Sequence, residues 1–317
     1  MTLELLVLSL ATIAAVSILM SALIYTLWPV LRGVLGRLTP AAESRALFAL
    51  SSLPLFGSVL VLAACFLPSL GLAIDHCVHH GLHHPHLCLH HAPLVAPTLA
   101  ALAMAGFIVV RAAHASYRAA RGLFRSVSTA RTLCQAAAPR ADGVHVLPKE
   151  QPEAFVVGLL RPKLFASQGL LSMSEDVQRI VLAHERAHVH RRDPLRQLIA
   201  TAFLGFHLPG IAGIIRRRLQ VAAEMAADAH AADTFGDGPR VADVLLKLTR
   251  AHHAHPVPGV GFVGDLEVRV HRLLAPRGRE SLGPAALTAI IGAATLSAVA
   301  CAEPLHHAVE TFLGLLI

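Results

Sequence analysis

The stretch LLVLSLATIAAVSILMSALIYTLWPVL, residues 5–31, contains no charged side chain and decides the class of fold. About 20 helical residues are enough to cross the hydrocarbon core of a bilayer, so this stretch predicts a membrane-spanning helix. Charged residues make up 15% of the 317-residue chain, whereas about 25% is usual in a soluble domain. We therefore expect an integral membrane protein that is mainly α-helical.

Three more uncharged runs follow, at residues 46–74, 92–110 and 281–302. Each is long enough to cross a bilayer, which predicts four spans in all. Neither a basic leader nor a small-residue cleavage site accompanies the first run, and this favours a retained span over a signal peptide.

The positive charges indicate the orientation of these spans. All 27 lysines and arginines lie in residues 32–45 and 111–280. Four spans put both segments on the same side of the membrane, and the positive-inside bias makes that side the cytoplasm. We therefore expect a multi-pass protein of the cell (inner) membrane with both termini outside.

The spans and the charges divide the chain into three parts. These are residues 1–112, with spans at about 5–31, 46–74 and 92–112 and an outer loop at 75–91; residues 113–280, a cytoplasmic domain; and residues 281–317, a fourth span with a short outer tail. The net charge of +7 could suggest nucleic acid, but the chain has no nucleic-acid motif and only 5% aromatic residues for base stacking. The lipid bilayer is the expected partner, without direct nucleic-acid binding.

The cytoplasmic part begins with short β-type runs, VHVL, AFVVGLL and KLFAS, within residues 144–167. They predict a small antiparallel sheet of two or three strands. Ser172 followed by Glu175 predicts a capping box that opens a helix running to about Arg192, which Asp193-Pro194 ends.

Residues 197–215 form another uncharged run, broken by Pro209-Gly210 and flanked by arginines on both sides. The run is too short for two crossings, and a single crossing would separate the basic flanks. It predicts a membrane-leaning helical hairpin or a buried core segment.

The helix after the sheet carries the pattern HExxH in VLAHERAHVHRRDPL. His184 and His188 are four residues apart, so both project from one face of the helix. In this pattern the two imidazoles bind Zn²⁺, and the adjacent Glu185 polarises a zinc-bound water. Such a water has a pKa of about 7 and is a nucleophile at neutral pH.

A catalytic zinc needs a third protein ligand, and the segment EMAAD supplies a candidate. Glu224 and Asp228 are again four residues apart on an alanine-rich helix. We expect Glu224 to be the third ligand, and Asp228 to accept a hydrogen bond from a ligating imidazole and fix its tautomer.

Four segments together resemble the BlaR/MecR-type membrane metallopeptidases in order and spacing over roughly residues 140–275. They are AFVVGLLRPKLFASQGLLS, VLAHERAHVHRRDPL, FHLPG and EMAADAHAAD. The resemblance implies an α+β gluzincin-like zinc protease domain held at the cytoplasmic face of four spans. His184, His188 and Glu224 match the family's metal ligands, and Glu185 matches its general base.

The resemblance also implies a binding strand for the substrate, the edge strand along which gluzincins hold an extended peptide. It corresponds to Ala154, Phe155, Val156, Val157 and Gly158. An edge strand offers backbone groups to such a peptide.

One departure from the family concerns its sensor. The receptors of this family carry a penicillin-binding domain after the last span, but this chain ends at residue 317 and has no Ser-x-x-Lys motif. We expect no direct β-lactam sensing. The hypothesis is a zinc endopeptidase for regulated proteolysis in signal transduction, cleaving itself or a protein or peptide substrate such as a winged-helix repressor.

The outer loop is rich in metal-ligating side chains and forms a candidate second metal site. Its members are His76, Cys77, His79, His80, His83, His84, His86, Cys88, His90 and His91. Three interpretations stay open: a metal sensor joined by His306 and His307, a metal- or disulfide-pinned cap, and an unstructured polar loop.

Two alternative functions also stay open. One is a membrane quality-control protease of the CAAX-endopeptidase-like type, which shares HExxH and a later Glu-x-x-x-Asp. The other is a non-enzymatic metal-sensing membrane protein that uses the histidine-rich loop.

Overall fold

The structure, a computed structural model, describes residues 3–70, 87, 97–253, 263–275, 289, 292–293, 296 and 300–315. The histidine-rich loop, apart from Leu87, lies outside these residues, and so does most of the predicted fourth span at 281–302. The prediction of a fourth span is therefore not tested.

Three long helices correspond to the first three predicted spans: α1 (Leu3–Arg37), α2 (Pro40–Phe66) and α3 (Leu99–Ala136). Each is long and apolar enough to cross a membrane. Thr39 and Thr98 cap the N-termini of α2 and α3 with their side chains. With 38 residues, α3 is about 57 Å long, so the third span and the helix predicted after it form one continuous helix.

A four-stranded sheet follows α3, in the order β1-β2-β4-β3. The strands are β1 (Ala138–Pro139), β2 (Val144–Leu147), β3 (Ala154–Val157) and β4 (Lys163–Ser167). The strands β1 and β3 pair antiparallel with their neighbours, but β2 and β4 run parallel. The prediction of an antiparallel sheet of two or three strands is therefore wrong. The chain turns back after β3, and β4 inserts between β3 and β2, so that β4 runs parallel to β2.

The remaining described helices follow the sheet. They are α4 (Gln168–Leu171), α5 (Glu175–Arg191), α6 (Asp193–Phe203), α7 (Pro209–Phe235), α8 (Gly238–His253), α9 (Val263–Leu274) and α10 (Ala302–Leu315).

The helix α5 ends at Arg191, close to the predicted Arg192, but its capping differs from the prediction. The N-cap residue is Ser174, while the Ser172 hydroxyl donates to the carbonyl of Gly169 at the end of α4. At the other end Arg192 takes a left-handed conformation, with φ of 53°. Asp193 therefore begins the next helix instead of terminating the previous one.

The uncharged run at 197–215 forms the predicted hairpin, made of α6, a short 3₁₀ turn and the start of α7. Its tip is buried against the long helices. His207 Nε2 lies 3.2 Å from the carbonyl oxygen of Ser51, and the backbone N–H of Leu208 donates to the hydroxyl of Ser21 over 2.7 Å. Arg111 on α3 donates to the carbonyl of His207. The hairpin is therefore fixed to all three long helices.

Two apolar cores meet on α7. The first packs the early part of α7 against α1, α2 and α6. The second packs its later part against the sheet, α5 and α8. The helix α7 thus connects the long helices to the part of the chain that contains HExxH.

Candidate metal centre

The side chains of His184, His188 and Glu224 converge between α5 and α7. Their ligand atoms lie within 4.8 Å of one another, and the three could hold a metal ion. The two Nε2 atoms are 3.2 Å apart. The carboxylate of Glu224 lies 3.5 Å from Nε2 of His184 and 3.6 Å from Nε2 of His188. Three residues that the sequence placed on two helices are therefore brought to one point.

This donor set fits a zinc ion. Two imidazoles and one carboxylate are a known ligand combination of catalytic zinc sites. Two nitrogens bound to one tetrahedral zinc at about 2.0–2.1 Å are about 3.3 Å apart, close to the 3.2 Å between the two Nε2 atoms here. The imidazoles are thus arranged as a metal requires.

The other ring nitrogen of each histidine contacts a buried carboxylate. Nδ1 of His184 lies 2.9 Å from Asp228, and Nδ1 of His188 lies 2.8 Å from Asp193. The side chains of these aspartates are 3% and 4% exposed. Such contacts hold a proton on Nδ1 and leave Nε2 as the nitrogen that would bind a metal in place of its own proton.

Asp228, which the sequence singled out, contacts His184, but Asp193 was missed as a partner of the site. The sequence contained a signal for it, because acidic residues are scarce, 20 in 317, and Asp193 follows His188 by five positions. The adjacent proline led instead to an interpretation of Asp193 as a helix terminator.

Arg269 on α9 is a second residue that the sequence analysis missed. Its side chain is 7% exposed, and it donates two hydrogen bonds to Asp228, over 2.7 and 2.8 Å. Its Nη1 also lies 3.3 Å from Glu224. The sequence contains only a weak signal for this residue. Arg269 lies three residues after Leu266 and four before Leu273, which puts a charged side chain on the apolar face of α9.

The contacts within the cluster favour a protonated His184 and an ionised Glu224 at neutral pH. Burial alone lowers the pKa of His184, but its contacts with Asp228 and Glu224 raise it to about 10. Burial raises the pKa of Glu224, but His184 and Arg269 lower it to about 2. The carboxylate of Glu224 is therefore ionised and available to a cation at neutral pH.

Glu185 lies beside the same cluster. Burial raises the pKa of its carboxyl, and the charges of His184 and His188 oppose that shift. A carboxylate whose pKa is raised is a stronger base, which suits a group that accepts a proton.

The strand β3 forms an edge of the sheet, and α5 lies close to it. The backbone N–H of Ser167 donates to the carbonyl of Glu153, and Phe155 faces Phe165 two positions further along. Because hydrogen-bonded and non-hydrogen-bonded pairs alternate in an antiparallel ladder, the backbone groups of Ala154 and Val156 point away from β4. Gly158 follows the strand with φ of 110°.

The candidate outer site, residues 76–91, lies outside the described residues. His306 on α10 is described and buried, with Nδ1 3.0 Å from the carbonyl oxygen of Cys65 and Nε2 2.9 Å from Glu310. The contact with Cys65 attaches α10 to the end of α2, whereas Glu310 lies on α10 itself.

Comparison with known proteins gave one match. The family described as BlaR1 peptidase M56 matches residues 89–272, more than half of the chain. Neither the curated proteins nor the solved structures yielded a match. The matched range contains the sheet, the HExxH helix, Glu224 and Arg269, and three long apolar helices accompany it. The chain therefore belongs to the M56 family of BlaR1-type membrane peptidases.

Proposed function

We propose that this protein is a membrane-embedded zinc endopeptidase with its site at the cytoplasmic face. The observation that carries the proposal is the convergence of His184, His188 and Glu224 beside Glu185. Membership of a peptidase family supports the same chemistry.

In the proposed reaction His184, His188 and Glu224 hold the metal. When bound, zinc polarises the scissile carbonyl and makes a water molecule acidic enough to act as a nucleophile near neutral pH. Glu185 takes the proton of the attacking water and then delivers it to the nitrogen of the departing amine. The raised pKa of Glu185 suits both steps, since one group must accept and then release the same proton.

Asp193, Asp228 and Arg269 orient the groups that hold the metal. The two aspartates keep the imidazoles in the required tautomer. Arg269 fixes the carboxylates of Asp228 and Glu224 relative to each other, because one guanidinium contacts both.

The substrate peptide is proposed to add to β3 as a further strand. The backbone groups of Ala154 and Val156 point away from β4 and are suitably directed for this pairing. This mode of binding recognises an extended backbone and requires few side-chain contacts. It is therefore compatible with cleavage of the chain itself or of a repressor.

The proposed cellular role is regulated proteolysis in signal transduction. Its support is the family membership and the restriction of all lysines and arginines to residues 32–45 and 111–280. The latter favours a cytoplasmic site by the positive-inside bias. A cytoplasmic repressor is then accessible to the site without crossing the membrane.

The test compares the zinc content and proteolysis of four full-length proteins purified in detergent. These are the wild type, a His184→Ala/His188→Ala variant, a deletion of residues 76–91, and a control in which the exposed His230 is changed to Ala. We expect the wild type, the deletion and the control to contain about one zinc at this site and to cleave the chain or a co-expressed repressor. The double variant should lose both properties. Zinc that survives the double variant but is lost on deletion of the loop would contradict the proposal and favour a metal-sensing protein.

A further inference from the structure

The turn between the first two long helices, residues 38–44, contacts all three helices that form the metal centre. We call it the α1–α2 turn. Arg191 of α5 donates to the hydroxyl of Ser44 over 3.1 Å. Arg218 of α7 binds the carboxylate of Glu43 over 2.6 Å, and Arg272 of α9 donates to the carbonyl of Leu38 over 2.5 Å. One short segment therefore receives an arginine from each of the three helices.

The contact at Glu43 is deeply buried. Its side chain is 0% exposed, and Arg218 supplies a positive charge. A buried carboxylate pays a large desolvation cost, so separation from its arginine is strongly unfavourable. The pair consequently keeps α7 and the start of α2 in one relative position.

The contact at Ser44 leads directly to a candidate metal ligand. The guanidinium of Arg191 that binds Ser44 also binds the carboxylate of Asp193, over 3.2 Å. That carboxylate lies 2.8 Å from Nδ1 of His188. A continuous set of hydrogen bonds therefore joins α2 to His188 through two side chains.

The other two arginines are close in sequence to residues of the site. Arg218 precedes Glu224 by six positions on α7, and Arg272 follows Arg269 by three positions on α9. A displacement of the turn thus acts on the helices that carry the third candidate ligand and its arginine.

We propose that the α1–α2 turn sets the geometry of the metal centre, with Arg191 as the positioning residue that links Ser44 to His188. This inference rests on the proposed metal centre and identifies its regulation: a movement of the first two long helices changes metal binding. The mechanism is displacement of the Asp193 carboxylate, which otherwise holds the His188 ring in place.

The test is a double-mutant cycle on zinc affinity, measured in the full-length protein by competition with a chelator. The variants are Ser44→Ala, Arg191→Ala and the combination. Ser44→Ala removes the acceptor of one guanidinium hydrogen bond and acts on the site only through Arg191, so it should weaken zinc binding roughly threefold. Loss of a residue that supports a ligand should weaken it roughly tenfold for Arg191→Ala. The combination should equal Arg191→Ala, because both changes interrupt one route.

A matched control separates this route from a general effect of charge. Arg217 precedes Arg218 on α7, its side chain is 72% exposed, and it pairs with Asp265. Arg217→Ala therefore removes an arginine outside this route, and the zinc affinity should not change. The visible absorption of Co²⁺ in place of zinc should shift in Arg191→Ala and stay constant in Arg217→Ala, because it reports the geometry of the ligands. Arg191→Lys keeps the charge near Asp193 but lacks the planar fork, and should restore the affinity only in part.

Hydrogen exchange tests the reverse direction of the coupling. Coupling is reciprocal, so zinc should slow amide exchange in residues 38–48 of the wild type, and Arg191→Ala should weaken this response. Additive effects of Ser44→Ala and Arg191→Ala, an equal loss in Arg217→Ala, or exchange that ignores zinc would each overturn the inference.

The readouts also separate this inference from the proposed function, since none of them requires cleavage. A wild type that binds zinc but cleaves no peptide contradicts the peptidase and leaves the coupling measurable. A wild type that binds no zinc through His184 and His188 contradicts both.

Discussion

Replacement of Arg269 by Gln tests the electrostatic design of the site. The guanidinium donates two hydrogen bonds to Asp228 and lies 3.3 Å from Glu224. Glutamine is shorter than arginine and carries no charge, so it cannot replace these contacts. The change therefore leaves two neighbouring carboxylates with one positive partner fewer.

The expected cost follows from the burial of the groups. Removing one partner of a buried pair typically destabilises a protein by about 3–5 kcal/mol. Glu224 is 38% exposed, so water screens the loss of its contact with Arg269. Asp228 is 3% exposed and is not screened, but it keeps its contact with His184. We expect about 3 kcal/mol in the metal-free protein, which corresponds to a decrease in Tm of roughly 6–12 °C for a domain of this size.

Zinc should reduce this cost, because an ion held by Glu224 would supply positive charge beside the same carboxylates. The assay is thermal unfolding followed by circular dichroism, with and without zinc. Arg217→Gln is the matched control, since its exposed pair with Asp265 contributes only about 0–1 kcal/mol. The reasoning is refuted if Arg269→Gln unfolds at the temperature of the control, or if zinc leaves the difference unchanged.

Three further predictions concern neighbouring parts of the site. Asp193→Asn should weaken zinc binding about tenfold in a chelator competition, because it removes the charge beside His188; unchanged affinity would contradict this role. Val156→Pro removes a backbone N–H that points away from β4, without breaking a hydrogen bond of the sheet. It should therefore lower the rate of peptide cleavage and leave the circular dichroism spectrum unchanged. Phe155→Pro removes an N–H that points toward β4 and should destabilise the sheet. The contacts of Asp228 with Arg269 and His184 lower its pKa despite burial. The ionised carboxylate therefore stabilises the metal-free fold at any pH above the pKa of the unfolded chain, about 3.9. That stability is lost as the pH falls through the lower pKa of the folded protein. The free energy of unfolding of the wild type should exceed that of Asp228→Asn by a constant amount above about pH 5, and the difference should shrink below about pH 4. A difference that is the same at all pH values would contradict the lowered pKa of Asp228.

The sequence predicted the parts of the structure that depend on local periodicity. His184 and His188, and likewise Glu224 and Asp228, repeat every four residues, and the helical period alone puts each pair on one face. The uncharged runs predicted three long helices, and the β-type runs predicted three of the four strands. These features follow from the spacing of residues within one element.

The missed features depend on contacts between distant elements. Arg269 meets Asp228 across 41 positions of sequence, and Arg191 meets Ser44 across 147. No pattern within α9 or α5 specifies such partners. The parallel pairing of β2 and β4 was missed for the same reason, because strand propensity does not determine which strands become neighbours.

The central claim, that Glu185 is the base of a zinc peptidase, is tested most directly by Glu185→Gln. The variant and the wild type are purified in detergent, and zinc content is measured together with cleavage of the chain and of co-expressed repressors. We predict that the variant retains zinc to the level of the wild type and loses the cleavage that the wild type shows. Equal cleavage by both proteins would contradict the account.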